Sequence, residues 1–303
     1  MRQDLKPYLE PVKGNTYCIV TGYGRIPLYK LDAHNAILLD CGLPRDWEGI
    51  RSCLEEAGLW VRAVLISHGH VDHDGNLVSM RKYFGARCYL SMFAATVYAE
   101  PENRVNSILG MSTYRQIKYL MPETLRPDVV FDWRQNSVTV EGVPFDILQL
   151  PGHCPEHMGF ITPDNVAYLG DTILSEKLIT SLRLPFCTCL EPDLQSKEQV
   201  AELNCDRYIL AHSEVRDEIR QLAIKNRDCM LEKAAMVESL AEDYISMEGM
   251  VRRILESTPD DGENIRKVQG LQRNAVAFVD YLLDTGRLTR RANNGTIEYI
   301  RTK

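Results

Sequence analysis

Residues Val61–Gly75 read VRAVLISHGHVDHDG, and this stretch decides the fold. It opens on an apolar run, Ala63–Ile66, long enough for a buried strand. It then places His68, His70, Asp72 and His73 within six residues. Strand residues two apart point the same way, so His68 and His70 can share one cation. Asp72 and His73 follow where the chain leaves the strand, and Gly69 and Gly75 allow a sharp bend. Each buried imidazole or carboxylate needs a polar partner, which makes this poor material for a core and good material for a metal site.

Working outward, the pattern of an apolar strand followed by a histidine or acid recurs. Ala36–Leu39 ends at Asp40. The stretch Leu150–Phe160, LPGHCPEHMGF, presents His153 on a Pro-Gly turn. Val166–Leu169 ends at Gly170-Asp171, and Arg207–Leu210 ends at Ala211-His212. Side chains placed this way collect along one edge of a sheet, where α/β proteins hold their ligands. Between these points, Trp47–Gly58 and Asn76–Phe84 carry helical periodicity, with Gly85 placed as a left-handed cap. Thr16–Thr21 reads as a strand broken by Gly22, Gly24 and Pro27. Further strands are predicted at Arg87–Leu90, Val129–Asp132, Ser137–Val140 and Phe145–Leu150. A helical insertion at about 91–127 carries Tyr98, Met111, Tyr114, Tyr119 and Met121. His157 reads first as a packed histidine and second as a hydrogen-bond donor behind a metal site or a contact to substrate, and His34 as a surface residue.

Composition bounds the rest. The 303 residues are 45% hydrophobic, enough for a sizeable core, with a net charge of −7. That charge argues against wholesale coating of nucleic acid or an anionic membrane. No apolar run approaches the roughly 18 residues of a spanning helix. The first residues, MRQDLKPYLEPVKG, hold no apolar signal core, so the expected compartment is the cytoplasm. Nine scattered cysteines do not form a disulfide framework; Cys187 and Cys189 read as small hydrophobes. From Glu214 the chain is strongly helical, to a polar linker at Pro259–Asn264. Residues 264–303 hold eight Lys and Arg against three acids, +5, leaving −12 for the rest. There, the helix Asn274–Leu283 precedes two strands around Asn293-Asn294-Gly295, a winged-helix-like pattern.

The His-x-His-x-Asp-His run, with the later His153, Asp171 and His212 in this order, closely resembles the metallo-β-lactamase superfamily over about residues 15–215. The match is to its glyoxalase-II-like, two-metal branch. The resemblance implies an αββα sandwich of two mixed sheets, with a mainly helical C-terminal extension. The expected division is 1–215 for the catalytic domain and 216–303 for the extension. By the same resemblance, His68, His70 and His153 hold one metal, Asp72, His73 and His212 the second, and Asp171 bridges them. Asp40 orients the surrounding hydrogen bonds. The imidazole and carboxylate set suits two divalent ions, zinc first, with manganese or iron compatible.

The function this implies is hydrolysis of a small ester, thioester or lactone by a metal-bound hydroxide. Asp72 either orients the nucleophile and takes up its proton or serves only as a ligand. The rival readings are a nuclease or phosphodiesterase using the basic C-terminal module, and an iron-dependent persulfide dioxygenase. A purely structural metal is disfavoured, because such sites are closed and cysteine-rich. The expected partner is a small molecule. Nucleic-acid contact through 264–303 is the lesser expectation, since that charge also suits a solvated face.

Overall fold

The computed structural model describes residues 5–100, 103, 123–256 and 264–302. Its contacts group the chain into two units. The first comprises Met1–Leu150, Glu156–Ile173 and Leu203–Ile219, and the second Pro151–Pro155, Leu174–Glu202 and Arg220–Lys303.

The first unit holds two mixed sheets. One has the order β1 (Tyr8–Lys13), β2 (Thr16–Val20), β3 (Arg25–Lys30), β4 (Asn35–Leu39), β5 (Trp60–Leu65), β6 (Arg87–Ser91) and β7 (Val129–Phe131). It is antiparallel up to β4 and parallel from there. The other runs from β8 (Ser137–Val140) through β9 (Val143–Gln149), β10 (Met158–Ile161), β11 (Val166–Tyr168) and β12 (Arg207–Ile209) to β13 (Val215–Arg216). Only β11 and β12 pair in parallel within it.

Alternation along a strand sends neighbours into different cores. Ile37 and Leu39 join Leu65, Phe145, Phe160 and Tyr168 in one apolar cluster, which draws on both sheets. Leu38 between them joins Val64, Ile66 and residues of α1 (Trp47–Glu56) and α3 (Leu77–Phe84) in another. Burial on both faces explains why Ala36–Leu39 of β4 and Ala63–Leu65 of β5 read as continuous apolar runs. Two further helices lie in this unit, α2 (Val71–Asp74) and α4 (Met92–Ala99).

Several expectations are corrected. The strand carrying the opening motif stops at Leu65, so His68 and His70 stand in the irregular loop before α2 and not on the strand. The loop turns there because Ser67 donates both its N–H and its hydroxyl to the Asp40 carboxylate. Pro27 does not break the chain but lies inside β3. It pairs with Cys18 on β2, whereas β4 pairs only with Leu28–Lys30, so proline's missing N–H costs no ladder bond. β1 escaped the sequence reading because its half-exposed edge residues carry no apolar run. Gly85 caps α3 as expected, at φ 69° with its N–H on the Arg81 carbonyl. In the predicted insertion, Met92–Ala99 is helical and buries Tyr98. Met111, Tyr114, Tyr119 and Met121 lie outside the described residues.

The second unit is mainly helical: α5 (Glu176–Ser181), α6 (Leu190–Ala201), α7 (Arg220–Ser239), α8 (Met247–Glu256) and α9 (Ile265–Asp284). Its sheet has the order β14 (Ile245–Ser246), β16 (Thr296–Arg301), β15 (Leu288–Asn293). The β15–β16 hairpin closes on Asn294 and Gly295, with φ 45° and 81°, a two-residue turn of the type this dipeptide favours. The expected division at 215 places 174–202 in the first domain. Ile179, Leu184, Leu190 and Leu194 instead share one core with Met230, Phe278 and Leu282. Contiguous sequence blocks cannot reveal such interleaving. Helix α9 begins nine residues before the predicted Asn274; Asn264 Oδ1 accepts the Lys267 N–H at 3.3 Å at its start.

Two glycines make opposite predictions. A Cβ on Gly24 would lie 2.2 Å from the Ala211 carbonyl oxygen, whereas one on Gly270, inside α9, meets nothing within 4 Å. Gly24→Ala should lower unfolding stability by about 1–3 kcal/mol, the usual cost of overpacking. Gly270→Ala should raise it by roughly 0.5–1 kcal/mol through helix propensity. Urea denaturation of the two variants checks both signs.

Candidate functional site

The site of the first unit is built on the Asp40 carboxylate. Asp40 follows β4 at φ 67°, a left-handed conformation that short polar side chains tolerate. This turn sends its buried carboxylate inward. Oδ1 accepts the Ser67 N–H at 2.7 Å, and Oδ2 accepts the Ser67 hydroxyl at 2.7 Å and the Tyr168 hydroxyl at 2.6 Å. His73 Nδ1 lies 2.7 Å from Oδ2 and donates to it, which leaves Nε2 facing the interior of the site.

Four side chains of this unit then converge. Asp72, His73, Asp171 and His212 each offer a ligand atom, and these atoms lie within 4.8 Å of one another. Asp171 Oδ1 is 3.2 Å from His73 Nε2 and 2.9 Å from His212 Nε2. His212 Nε2 is 3.5 Å from Asp72 Oδ2. Four donors in a tetrahedron around zinc, at roughly 2.0–2.1 Å, would stand about 3.3 Å apart. The spacing and the nitrogen and oxygen donor set therefore fit a divalent ion. Asp171 Oδ2 faces the other way, 4.0 Å from His68 Nε2. The His68 and His70 rings pack at 4.5 Å. One aspartate thus has an oxygen toward each group of histidines.

The field here favours a cation. Burial works against a charged His73, but Asp171, Asp40 and Asp72 outweigh it and hold the imidazole well above its ordinary range. His212 is shifted the same way, with Asp171 overcoming its burial.

His153 stands on the turn between β9 and β10, in the segment 151–155 that groups with the second unit. Within that unit the turn is tightly held. The Thr188 N–H donates to the Gly152 carbonyl at 2.8 Å, and the Ser196 hydroxyl to the Pro151 carbonyl at 2.7 Å. A Cβ on Gly152 would lie 2.3 Å from Asp193 Cα, so α6 requires glycine there. The His153 ring meets Phe186 edge-on at 5.1 Å.

Three residues of the first unit support the site without being among the expected ligands. His157, read as a packed histidine, is fully buried, and its Nε2 accepts the Asp171 N–H at 2.9 Å. The proton must then sit on Nδ1, which faces the Leu150 carbonyl at 3.1 Å. Burial lowers its pKa to about 4, so it stays neutral and fixes the Asp171 backbone. Its position one residue before β10, after a turn with another histidine, was the available signal. Tyr168 gave none beyond its strand; its hydroxyl reaches Asp40 from the second sheet. Tyr23, between Gly22 and Gly24, donates its hydroxyl to Asp72 Oδ2 at 3.2 Å and packs edge-on against His212 at 4.9 Å. Burial, with the Asp72 and Asp171 carboxylates, pushes its phenol up, so it is a neutral donor. Tyr23, Asp72, His73 and His212 line a pocket of this unit with Arg25 and Asp46.

Over 146 residues the chain is 30% identical to hydroxyacylglutathione hydrolase GloC of Haemophilus influenzae, covering 47% of this chain and 63% of that one. It is 22% identical over 237 residues to an atrochrysone carboxyl ACP thioesterase of Passalora fulva, 77% of this chain and 58% of that one. The chain thus spans less than two thirds of these relatives' length. A metallo-beta-lactamase family protein from Thermus thermophilus has the same fold, with TM-score 0.72 at 18% identity, covering 98% of this chain and 99% of that one. A beta-lactamase domain protein from Burkholderia ambifaria gives 0.73 at 19%, covering 97% and 94%. These neighbours place the two mixed sheets and their helices in the αββα class. The model of the metallo-beta-lactamase superfamily matches residues 28–212, more than half of the chain, which therefore belongs to that superfamily.

Proposed function

We propose that the protein is a metal-dependent hydrolase of thioesters or closely related esters, with zinc as the first candidate ion. The observation that carries this reading is the convergence of Asp72, His73, Asp171 and His212 on one point, with Asp171 turned also toward His68. Its two most informative relatives are named for hydrolysis of an acyl-glutathione and of an acyl carrier protein thioester.

In this reading Asp72, His73 and His212 would hold one cation, His68 and His70 would contribute to a second, and Asp171 has an oxygen toward each. When bound, such ions lower the pKa of water from roughly 15.7 to about 7 and so make a nucleophile available at neutral pH. The chain's own residues do the rest. Asp40 fixes the His73 ring, and His157 fixes the Asp171 backbone. Asp72, on the pocket, takes up the proton released as water adds to the acyl carbon. The carbon–sulfur or carbon–oxygen bond then breaks, and the departing thiolate or alkoxide recovers a proton.

The reading extends to compartment and partner. All nine cysteines are free, which suits a reducing cytoplasm. Among the described residues, no helix is long and apolar enough to cross a membrane. In the basic C-terminal hairpin, Arg291 lies over the Tyr244 ring at 3.4 Å and pairs with Glu298 at 2.9 Å. This arginine is engaged within the fold, which favours a small substrate over nucleic acid.

The test is a panel of an S-acyl glutathione, a lactone, a phosphodiester and RNA, assayed on chelator-stripped protein before and after reloading with zinc, manganese or iron. Thioester or ester turnover should vanish on stripping and return on reloading. Turnover of RNA or the phosphodiester alone would overturn the reading, as would oxygen uptake with a persulfide as the sole activity. Asp171→Ala should lose one cation and at least about 100-fold in turnover, since even partners behind the ligands cost roughly 10–100-fold. Undiminished hydrolysis by that variant would count against a shared aspartate.

A further inference from the structure

The loop between β2 and β3 is more constrained than a hairpin requires. The Thr21 N–H donates to the Gly24 carbonyl at 2.8 Å, and Thr21 Oγ1 accepts the N–H groups of Tyr23 and Gly24 at 3.2 and 3.0 Å. The next residue ties the loop to the end of another sheet: the Arg25 N–H donates to the Ala211 carbonyl at 2.7 Å. Only glycine fits at position 24, against that same carbonyl. The loop is therefore clamped to the residue preceding His212.

This clamp delivers one side chain to the site. The Tyr23 hydroxyl reaches Asp72 Oδ2, the oxygen that also faces His212 at 3.5 Å, and its ring meets the His212 imidazole nearly at right angles. The Arg45 guanidinium lies over the ring at 5.5 Å. Asp72 lies in a four-residue helix and His212 in a turn, so neither is fixed by a long element. Tyr23 contacts both.

We propose that Tyr23 is a positioning residue for one half of the site: its hydroxyl orients Asp72 and its ring orients His212, so that both present their ligand atoms to a cation. The proposal rests on the reading of these residues as a metal site. It assigns a polarity to the pair of half-sites. The half formed by Asp72, His73 and His212 depends on Tyr23, and the half that draws on His68 and His70 does not.

Titration of stripped protein with cobalt(II), followed by visible absorption and by equilibrium dialysis, reads the two halves without any substrate. Wild type should take up two ions. Tyr23→Phe, which keeps the ring, should weaken one of them about 10-fold and leave the other unchanged; Tyr23→Leu should weaken the same ion about 100-fold, the span typical of partners behind a ligand. The absorption band of that ion should shift in both variants, while far-ultraviolet circular dichroism stays as in wild type. Two cobalt affinities within twofold of wild type in both variants would overturn the proposal. Equal weakening of both ions would also overturn it, because that marks general loosening. Wild type that binds two ions but hydrolyses nothing ends the functional reading and leaves Tyr23 to be judged by the titration. Wild type that binds fewer than two ends both.

Discussion

A single buried carboxylate connects the two sheets of the first unit to its site. Asp40 stands where β4 ends, receives Ser67 from the loop after β5, and is met by Tyr168 from the other sheet. A lone carboxylate in such a place would cost several kcal/mol in lost hydration. Hydrogen bonds to a charged acceptor contribute about 1.5–3 kcal/mol each, so the set of donors around Asp40 offsets that loss. The same bonds set the geometry of everything outward of them. His73 can turn only one nitrogen toward Asp171, because Asp40 holds the other.

Much of this is legible in the sequence. The pair Asp72-His73, Asp171 and His212 come from three places far apart in sequence and stand together in space, because each place follows a strand that ends at the same edge. The alternation of apolar strand and polar turn carries that information directly. What stayed hidden has physical causes. Pro27 argued against β3 because the rule against proline in strands assumes hydrogen bonds on both sides, and here one side begins a residue later. His68 and His70 read as strand residues because the apolar run reaches Ile66; the bend depends on Asp40, 27 residues away from Ser67. His157 and Tyr23 look ordinary in sequence, since their roles are hydrogen bonds to groups distant along the chain. The sharing of one core by 174–202 and the C-terminal helices leaves no local mark at all.

Glycines show how closely the backbone follows the site. Gly170, at φ 50°, precedes Asp171, and a Cβ there would lie 2.5 Å from His157 Nε2. The histidine can therefore reach the Asp171 N–H only because the residue before it has no side chain. Gly24 plays a similar part for the strand end that carries His212. In both places a missing methyl group permits a polar contact, so the requirement is steric as much as conformational.

The hairpin at the C-terminal end has a consequence unrelated to catalysis. β15 is the outer strand of its three-stranded sheet, and five of its six residues are exposed. An uncovered strand of that kind is a template on which another copy of the chain could add a strand of its own. Arg290 and Arg291 sit in its middle, where a second β15 would bring like charges face to face. Like charges placed opposite one another disfavour such a pairing, so this exposed edge carries its own guard against strand addition.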